Sequence, residues 1–66
     1  MAIGINIKKI RLHRNYTQKY VAQALGMTHA NYGKIENGNI KVVTSERIAK
    51  IAAILGVTLE EILGPD

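Results

Sequence analysis

The sequence predicts an all-α fold, a compact single domain of five helices that spans residues 1–66. Apolar residues recur at helical spacing along the chain, most clearly in the stripe Ile48, Ile51, Ala52 and Leu55. Threonines and glycines, which favour helix starts and helix ends, separate the apolar segments. Only the loop 37–44 has strand-like content, and a single strand would have no partner.

Five segments carry the helical periodicity, and we expect helices at about 4–14, 18–25, 29–36, 45–55 and 59–63. In the first segment Ile3, Ile7 and Ile10 follow the spacing i, i+4, i+7, and in the third Tyr32 and Ile35 are three apart. The stripes of the second and last segments are Val21, Ala22 and Leu25, and Leu59, Ile62 and Leu63.

Capping residues agree with this periodicity. Each threonine of the chain precedes an apolar segment, where its hydroxyl can accept a hydrogen bond from the first helical turn: Thr17, Thr28, Thr44 and Thr58. Thr58 is followed three residues later by Glu61, which predicts a capping box. The glycines expected at helix ends are Gly26, Gly38, Gly56 and Gly64.

The composition argues against several classes of function. There is no cysteine, so a disulfide framework and a thiolate metal site are both excluded. One serine, two histidines sixteen residues apart and no glycine-rich phosphate loop make an enzyme hard to build, and we expect no cofactor and no metal. The apolar N-terminal stretch is too short for a signal peptide, and no transmembrane run is present, so we expect a cytoplasmic protein.

Charge is distributed unevenly along the chain. Residues 1–35 contain six lysines and arginines and no acidic residue, whereas residues 36–66 contain three basic and five acidic residues. A stretch this basic is suited to a polyanion, and the first half of the chain is therefore the expected binding region.

The segment from Gln18 to Gly38 has the spacing of a helix-turn-helix. Gly26 permits a sharp turn after the second helix, and Thr28 caps the third. The small side chain of Ala22 lets the two helices pack closely. On the third helix, Tyr32 and Ile35 would point to the core. The opposite side would be small or polar, with Ala30, Gly33, Lys34 and Asn37 and with His29 on its flank.

The stretch QKYVAQALGMTHANYGKIENG resembles the helix-turn-helix of the lambda-repressor-like family, which includes phage repressors, Cro proteins and many small bacterial transcription regulators. The matching positions are Gln18, Ala22, Gly26, Tyr32, Ile35, Glu36, Asn37 and Gly38. The resemblance extends back to Arg11 and forward through IAKIAAILGVTLEEIL, so it covers nearly the whole chain. It implies a DNA-binding domain whose third helix, residues 28–36, lies in the major groove of double-stranded DNA.

The resemblance assigns base recognition to His29, Ala30 and Lys34, with Thr28 as a further candidate. Lys34 can donate to guanine O6 and N7, His29 can donate or accept, and the Ala30 methyl can meet a thymine methyl. A merely solvated side chain is the alternative for His29.

Phosphate contacts are expected from Gln18 and Asn37, which match family positions, and from Lys41 in the following loop. Asn31 is expected to contact phosphate or to pack. Gly33 would let the helix approach DNA closely, or alternatively would relieve crowding inside the protein.

Arg11 and Glu36 are expected to have a structural role. Arg11 shares a helix face with Ile7 and Ile10, so it turns partly inward. In the family this pair forms an ion pair between the first and third helices.

The last helix suggests a homodimer. Its segment looks too short to bury all of its apolar side chains, and members of this family commonly pair through it. We expect an interface of Val57, Leu59 and Ile62, with Ile62 near the axis; the alternative is that this helix only caps the monomer core.

The function expected is a sequence-specific transcriptional regulator that binds a palindromic operator as a homodimer. An antitoxin that holds a toxin protein, or a controller protein of a restriction-modification system, is the alternative of the same fold. A protein-binding module that has lost DNA binding is a third, which the basic first half disfavours.

Overall fold

The computed structural model describes residues 3–39 and 43–64, and within these ranges it contains five α-helices and no strand. The helices are α1 (Ile3–His13), α2 (Gln18–Leu25), α3 (His29–Glu36), α4 (Ser45–Leu55) and α5 (Leu59–Leu63). The predicted all-α fold class is confirmed, and each boundary lies within one residue of the predicted one.

Threonine caps begin four of the helices, as predicted. The side chains of Thr17, Thr28, Thr44 and Thr58 each accept a hydrogen bond from the backbone N–H three residues later. At α5 the capping box is complete, because the Thr58 N–H also donates to Glu61 Oε1 over 3.2 Å. These local bonds fix where α2 and α3 start, and the two starts are the parts of the fold that matter most for the candidate site.

Glycines lie at the helix ends where they were predicted, and one further helix end uses asparagine instead. Gly26 and Gly56 close α2 and α4 in the left-handed conformation, each with φ 73°. The end of α1 has no glycine; there Asn15 takes φ 63°, and the next N–H, that of Tyr16, donates to the Arg11 carbonyl over 3.1 Å. Asparagine tolerates this region better than most residues, so it replaces glycine at this turn.

The core is aliphatic except for one tyrosine. Its members come from every helix: Ile7, Val21, Ala22, Tyr32, Ile35, Ile48, Ile51, Ala52, Leu55 and Ile62. α3 packs against α1 and α2, while α5 packs against α1 and α4, so α3 is held from two sides. The Asn6 side chain adds a link between α1 and α5 by donating to the Ile62 carbonyl over 2.9 Å.

α1 approaches the end of α3 closely at Gly4. A Cβ at this position would lie 2.5 Å from the Ile35 carbonyl oxygen and 2.6 Å from that of Glu36. Only glycine lets the backbone of α1 come this close to the last carbonyl groups of α3. This contact sets the position of α3 relative to α1.

Candidate nucleic-acid interface

The outer face of α3 is small and polar. His29, Ala30, Asn31 and Lys34 are exposed, whereas Tyr32 turns into the core. With Asn37 and Gly38 exposed after it, the helix presents an unobstructed ridge. An exposed face of polar and small side chains suits the major groove of B-DNA, which accepts an α-helix.

Gly33 has open space around it. A Cβ there would have one neighbour within 4 Å, Gln18 Oε1 at 3.9 Å, which is an ordinary contact. Internal crowding therefore does not explain this glycine.

The starts of α2 and α3 meet at the same surface. Gln18 is the first residue of α2 and His29 the first of α3, and Gln18 Oε1 lies 2.9 Å from His29 Nε2. Backbone N–H groups that lack helical partners are exposed at such starts, and they favour anions. Lys19 is exposed beside them.

Thr28 uses its hydroxyl oxygen as the cap of α3. Thr28 Oγ1 accepts from the Asn31 N–H over 3.2 Å. The hydroxyl hydrogen is still free to donate, so capping is compatible with the contact to a base that the family resemblance implies. Asn31, expected nearer the core, is exposed.

Asn37 lies where α3 ends, as its C-cap, with φ −83° and an exposed side chain. The loop that follows contains Lys41, the last of the predicted phosphate contacts. Lys41 lies outside the described residues.

A buried hydrogen-bond network joins the core side of α3 to α1 and α2. Arg11 Nε lies 2.6 Å from Glu36 Oε2, and Arg11 Nη2 lies 3.1 Å from Oε1, a two-pronged ion pair between α1 and α3. The Tyr32 hydroxyl donates to Glu36 Oε2 over 2.5 Å, and Gln18 Nε2 donates to Oε1 over 3.0 Å. Arg11 Nη1 also donates to the Tyr16 carbonyl over 2.8 Å, which ties in the α1–α2 turn.

The electrostatics of this network stabilise a charged carboxylate. Burial alone would raise the pKa of Glu36, but hydrogen bonds from Arg11, Tyr32 and Gln18 and the charge of Arg11 hold that pKa below its usual value. Burial and the adjacent carboxylate raise the pKa of the Tyr32 hydroxyl, so it stays a donor. The hydrogen bonds to Glu36, chiefly, raise the pKa of Arg11.

Two members of this network were not predicted from the sequence. The sequence predicts a core position for Tyr32 and a phosphate contact for Gln18, and in the structure both also donate to Glu36. Tyr32 precedes Glu36 by four residues, the spacing that places side chains on one helix face, so a local signal existed. For Gln18 there was no such signal, because it lies on a different helix.

The predicted dimer residues differ in exposure. Ile62 is fully buried at 0% and belongs to the monomer core, so its side chain cannot lie at a dimer axis, and that assignment is wrong. α5 is short, but it docks against both α1 and α4 and so buries Ile62 internally. Leu59 is 41% exposed and Val57 half-buried, so these two remain candidates for an interface.

Metal-ligand clusters and membrane-spanning helices were also considered for the part of the chain that the structure describes. Residues 3–39 and 43–64 hold no group of three histidine, cysteine or acidic side chains placed to bind a metal ion. Within the same ranges, no helix has the length and apolar character needed to cross a membrane.

Comparison with known proteins identifies the family of the chain. A family model described as "Helix-turn-helix" matches residues 7–62. The SPbeta prophage-derived uncharacterized HTH-type transcriptional regulator YonR of Bacillus subtilis (strain 168) is 35% identical over 60 residues, which are 91% of this chain and 55% of YonR. The chain thus spans about half the length of that relative.

The fold also matches a solved structure, that of the master regulator for biofilm formation SinR in complex with DNA. The TM-score is 0.83 at 24% sequence identity, over 94% of this chain and 98% of the SinR chain. At this identity the match shows that the two chains share a fold.

Proposed function

Since the chain belongs to the helix-turn-helix family, as its resemblance to lambda-repressor-like proteins predicted, we propose that it is a sequence-specific regulator of transcription that binds double-stranded DNA. α3 lies in the major groove, and the starts of α2 and α3 face the phosphates beside it. YonR, which is 35% identical to this chain over 60 residues, is described as an HTH-type transcriptional regulator, and this supports the proposal.

One observation carries the proposal: the outer face of α3, which lacks large apolar side chains, forms one continuous surface with the start of α2. Gln18 and His29 touch across it, so the two helix starts are side by side rather than on separate faces. Gly33 opens onto the same region without crowding. If α3 served only to fill the core, its outer face would not need small residues such as Ala30 and Gly33.

The charge distribution favours a polyanionic partner. All six basic residues of the first half lie in α1, α2, α3 or the α1–α2 turn, and no acidic residue accompanies them before Glu36. That first acid is buried and paired with Arg11, so it cancels the charge of Arg11 and leaves the other five positive charges of the first half uncompensated within it. The electrostatic term draws the domain to DNA of any sequence, and base contacts then select a site.

The proposed contacts divide into two sets. His29, Ala30, Lys34 and Thr28 contact bases, whereas Gln18, Asn31, Gly33, Asn37 and Lys41 approach the phosphate backbone. Gln18 can serve although both of its polar atoms are engaged, because its amide NH₂ has a second hydrogen.

We propose further that the protein binds a palindromic operator as a homodimer. One helix-turn-helix contacts only a few base pairs, too few to single out a site among about 10⁶ or more competitors. Two-fold pairing doubles the contacts and sets the half-sites about 34–36 Å apart. Leu59 is the exposed apolar residue of α5 on which the interface would be built.

Selection from random duplex DNA tests the proposal. We expect wild type to enrich one palindromic motif, Lys34→Ala to change the preferred bases within each half-site, and Asn37→Ala to weaken binding to all sequences alike. Glu46→Ala, at an exposed position on α4, is the control and should bind as wild type does. If no motif is enriched, the proposed function is wrong; if Lys34→Ala keeps the wild-type motif, the base assignment is wrong.

The antitoxin and controller alternatives remain predictions from the family resemblance. They share the DNA-binding surface proposed here and differ in having a protein partner, for which no described residue argues specifically.

A further inference from the structure

The side-chain amide of Gln18 lies between a buried carboxylate and an exposed imidazole. Its Nε2 lies 3.0 Å from Glu36 Oε1, and its Oε1 lies 2.9 Å from His29 Nε2. Gln18 is half-buried, so it connects the core network to the outer face of α3. The orientation of this amide decides what His29 presents outside.

Glu36 fixes the orientation of the amide. Its side chain is 0% exposed and receives bonds from Arg11 and Tyr32 in addition to Gln18. These donors keep the pKa of Glu36 low in spite of its burial, so at neutral pH the group is a carboxylate that can only accept. Gln18 must therefore turn its NH₂ toward Glu36, and its carbonyl oxygen then faces His29.

The state of the imidazole follows from the same chain of bonds. An amide oxygen accepts and cannot donate, so the hydrogen between Gln18 Oε1 and His29 Nε2 belongs to the histidine. A neutral imidazole carries one hydrogen, and with that hydrogen on Nε2 the other nitrogen, Nδ1, has a bare lone pair. His29 is then an acceptor at Nδ1.

We propose that Glu36, acting through Gln18, holds neutral His29 as a hydrogen-bond acceptor, so that His29 recognises the amino group of adenine or cytosine in the major groove. This inference rests on the proposed function and narrows it, since an unrestrained histidine could either donate or accept. Adenine N6 and cytosine N4 are the donors that the major groove displays, whereas guanine and thymine display acceptors there. Glu36 and Gln18 are thus positioning residues for base recognition.

The inference also separates the roles of two exposed residues on α3. Lys34 has only donors and suits guanine O6 and N7, while His29 in this state suits an amino group. Each half-site should therefore contain one contact that depends on a base amine and one that depends on purine acceptors.

The first test is made on the free protein by nuclear magnetic resonance. Long-range ¹⁵N–¹H correlation of the His29 ring, in its neutral form, should show the hydrogen on Nε2 in wild type. Gln18→Leu should raise the fraction of rings protonated on Nδ1, whereas Gln23→Leu, the same change at an exposed position of α2, should leave it at the wild-type level. A wild-type ring protonated on Nδ1, or a ratio that Gln18→Leu leaves unchanged, overturns the inference.

The second test uses base analogues in the selected operator. The base pair contacted by His29 is the one whose preference is lost in His29→Ala. Replacing adenine there by purine, or cytosine by 2-pyrimidinone, deletes the major-groove amine. This should weaken wild-type binding by about fivefold and leave His29→Ala unaffected. A 7-deaza purine at the same pair, which removes an acceptor instead, is the matched control and should have little effect.

The outcomes distinguish this inference from the proposed function. If the amine deletion has no effect, His29 does not accept from a base amine, and if the 7-deaza change weakens binding through His29, His29 donates. Either result makes the inference fail while DNA binding stands. If no operator can be selected, the proposed function fails and base recognition by His29 fails with it. The wild-type tautomer measurement needs no DNA, and a ring protonated on Nδ1 would overturn the inference by itself.

Discussion

At the scale of single residues, Glu36 is the acid on which the site depends. It anchors Arg11 of α1, Tyr32 of its own helix and Gln18 of α2, and so connects the three helices that form the candidate interface. A buried ion pair is costly to break, because removing one partner leaves the other charge buried without compensation.

Replacing Glu36 with glutamine should lower the free energy of unfolding by about 3–5 kcal/mol at pH 7, since Arg11 would lose its counter-charge. The pKa of Glu36 is held low in the folded chain, so its contribution is complete above the ordinary carboxyl pKa, about 4.3, and disappears as pH falls through the folded-state pKa. Urea unfolding over a range of pH measures this. The difference between wild type and Glu36→Gln should shrink as pH falls below about 4.

The control is Glu46→Gln, at an exposed position of α4, which should change stability little at any pH. A difference for Glu36→Gln that stayed constant from neutral to acid pH would mean that the charge of Glu36 contributes nothing.

Tyr32→Phe is a milder test of the same network. It removes one donor to the carboxylate and keeps the ring in the core, and it should cost about 1.5–3 kcal/mol, the range for a hydrogen bond to a charged group. Thermal or urea unfolding at pH 7 gives the value. Tyr20→Phe, at a tyrosine that is 51% exposed, is the matched control. An equal loss of stability in the two variants would show that the hydrogen bond from Tyr32 to Glu36 contributes no more than an exposed hydroxyl does.

At the scale of elements, the position of α3 depends on how closely α1 can approach it. Gly4 allows the contact between α1 and the last carbonyls of α3, whereas Gly33 faces outward without a close neighbour. Both are helical glycines, so helix propensity alone would predict that alanine stabilises the protein at either position.

Gly4→Ala should destabilise the protein by about 1–3 kcal/mol, because its Cβ would lie 2.5 Å from a backbone oxygen that cannot rotate away. Gly33→Ala should instead stabilise it by up to about 1 kcal/mol, the gain in helix propensity. Chemical unfolding of the two variants makes the comparison. Stabilisation by both substitutions would mean that α1 and α3 are not in this contact.

Gly33→Leu extends the comparison to binding. The side chain would project from the outer face of α3, so the folded domain should be retained while affinity for DNA falls at least tenfold. Circular dichroism and a binding titration measure the two effects. Unchanged affinity would place the nucleic acid elsewhere on the protein.

At the scale of the whole molecule, the basic first half and the surface of α2 and α3 together predict binding that depends strongly on salt. If about six phosphates are contacted by a dimer, log K should fall with log salt at a slope of about −0.9 per phosphate. Titrations between about 50 and 200 mM salt measure the slope. Binding that is insensitive to salt over this range would contradict phosphate recognition.

Dimer formation is the second prediction at this scale. Sedimentation at micromolar concentration should detect a homodimer of wild type, and Leu59→Asp should convert it to a folded monomer. Tyr20→Asp, which places the same charge at an exposed residue of α2, should leave the dimer intact. A wild-type monomer, or a Leu59→Asp variant that stays dimeric, would exclude this interface. Ile62→Asp is unsuitable, because it would place a charge in the core.

The sequence by itself determined the features that depend on neighbours along the chain. Helix periodicity, threonine caps and the glycine turns after α2 and α4 all act over three or four residues, so five helices could be placed within one residue of their observed ends. The resemblance to a family supplied the rest of the fold and the pairing of Arg11 with Glu36.

Tertiary structure decided what depends on residues far apart in the chain. Ile62 is buried because α5 packs against both α1 and α4, and the length of α5 could not reveal that. Gln18 joins Glu36 to His29 only because the starts of α2 and α3 come together beside α1. Gly4 is required by two carbonyl oxygens more than thirty residues later. Each of these contacts is set by how rigid helices pack, and pattern along a single helix carries no information about it.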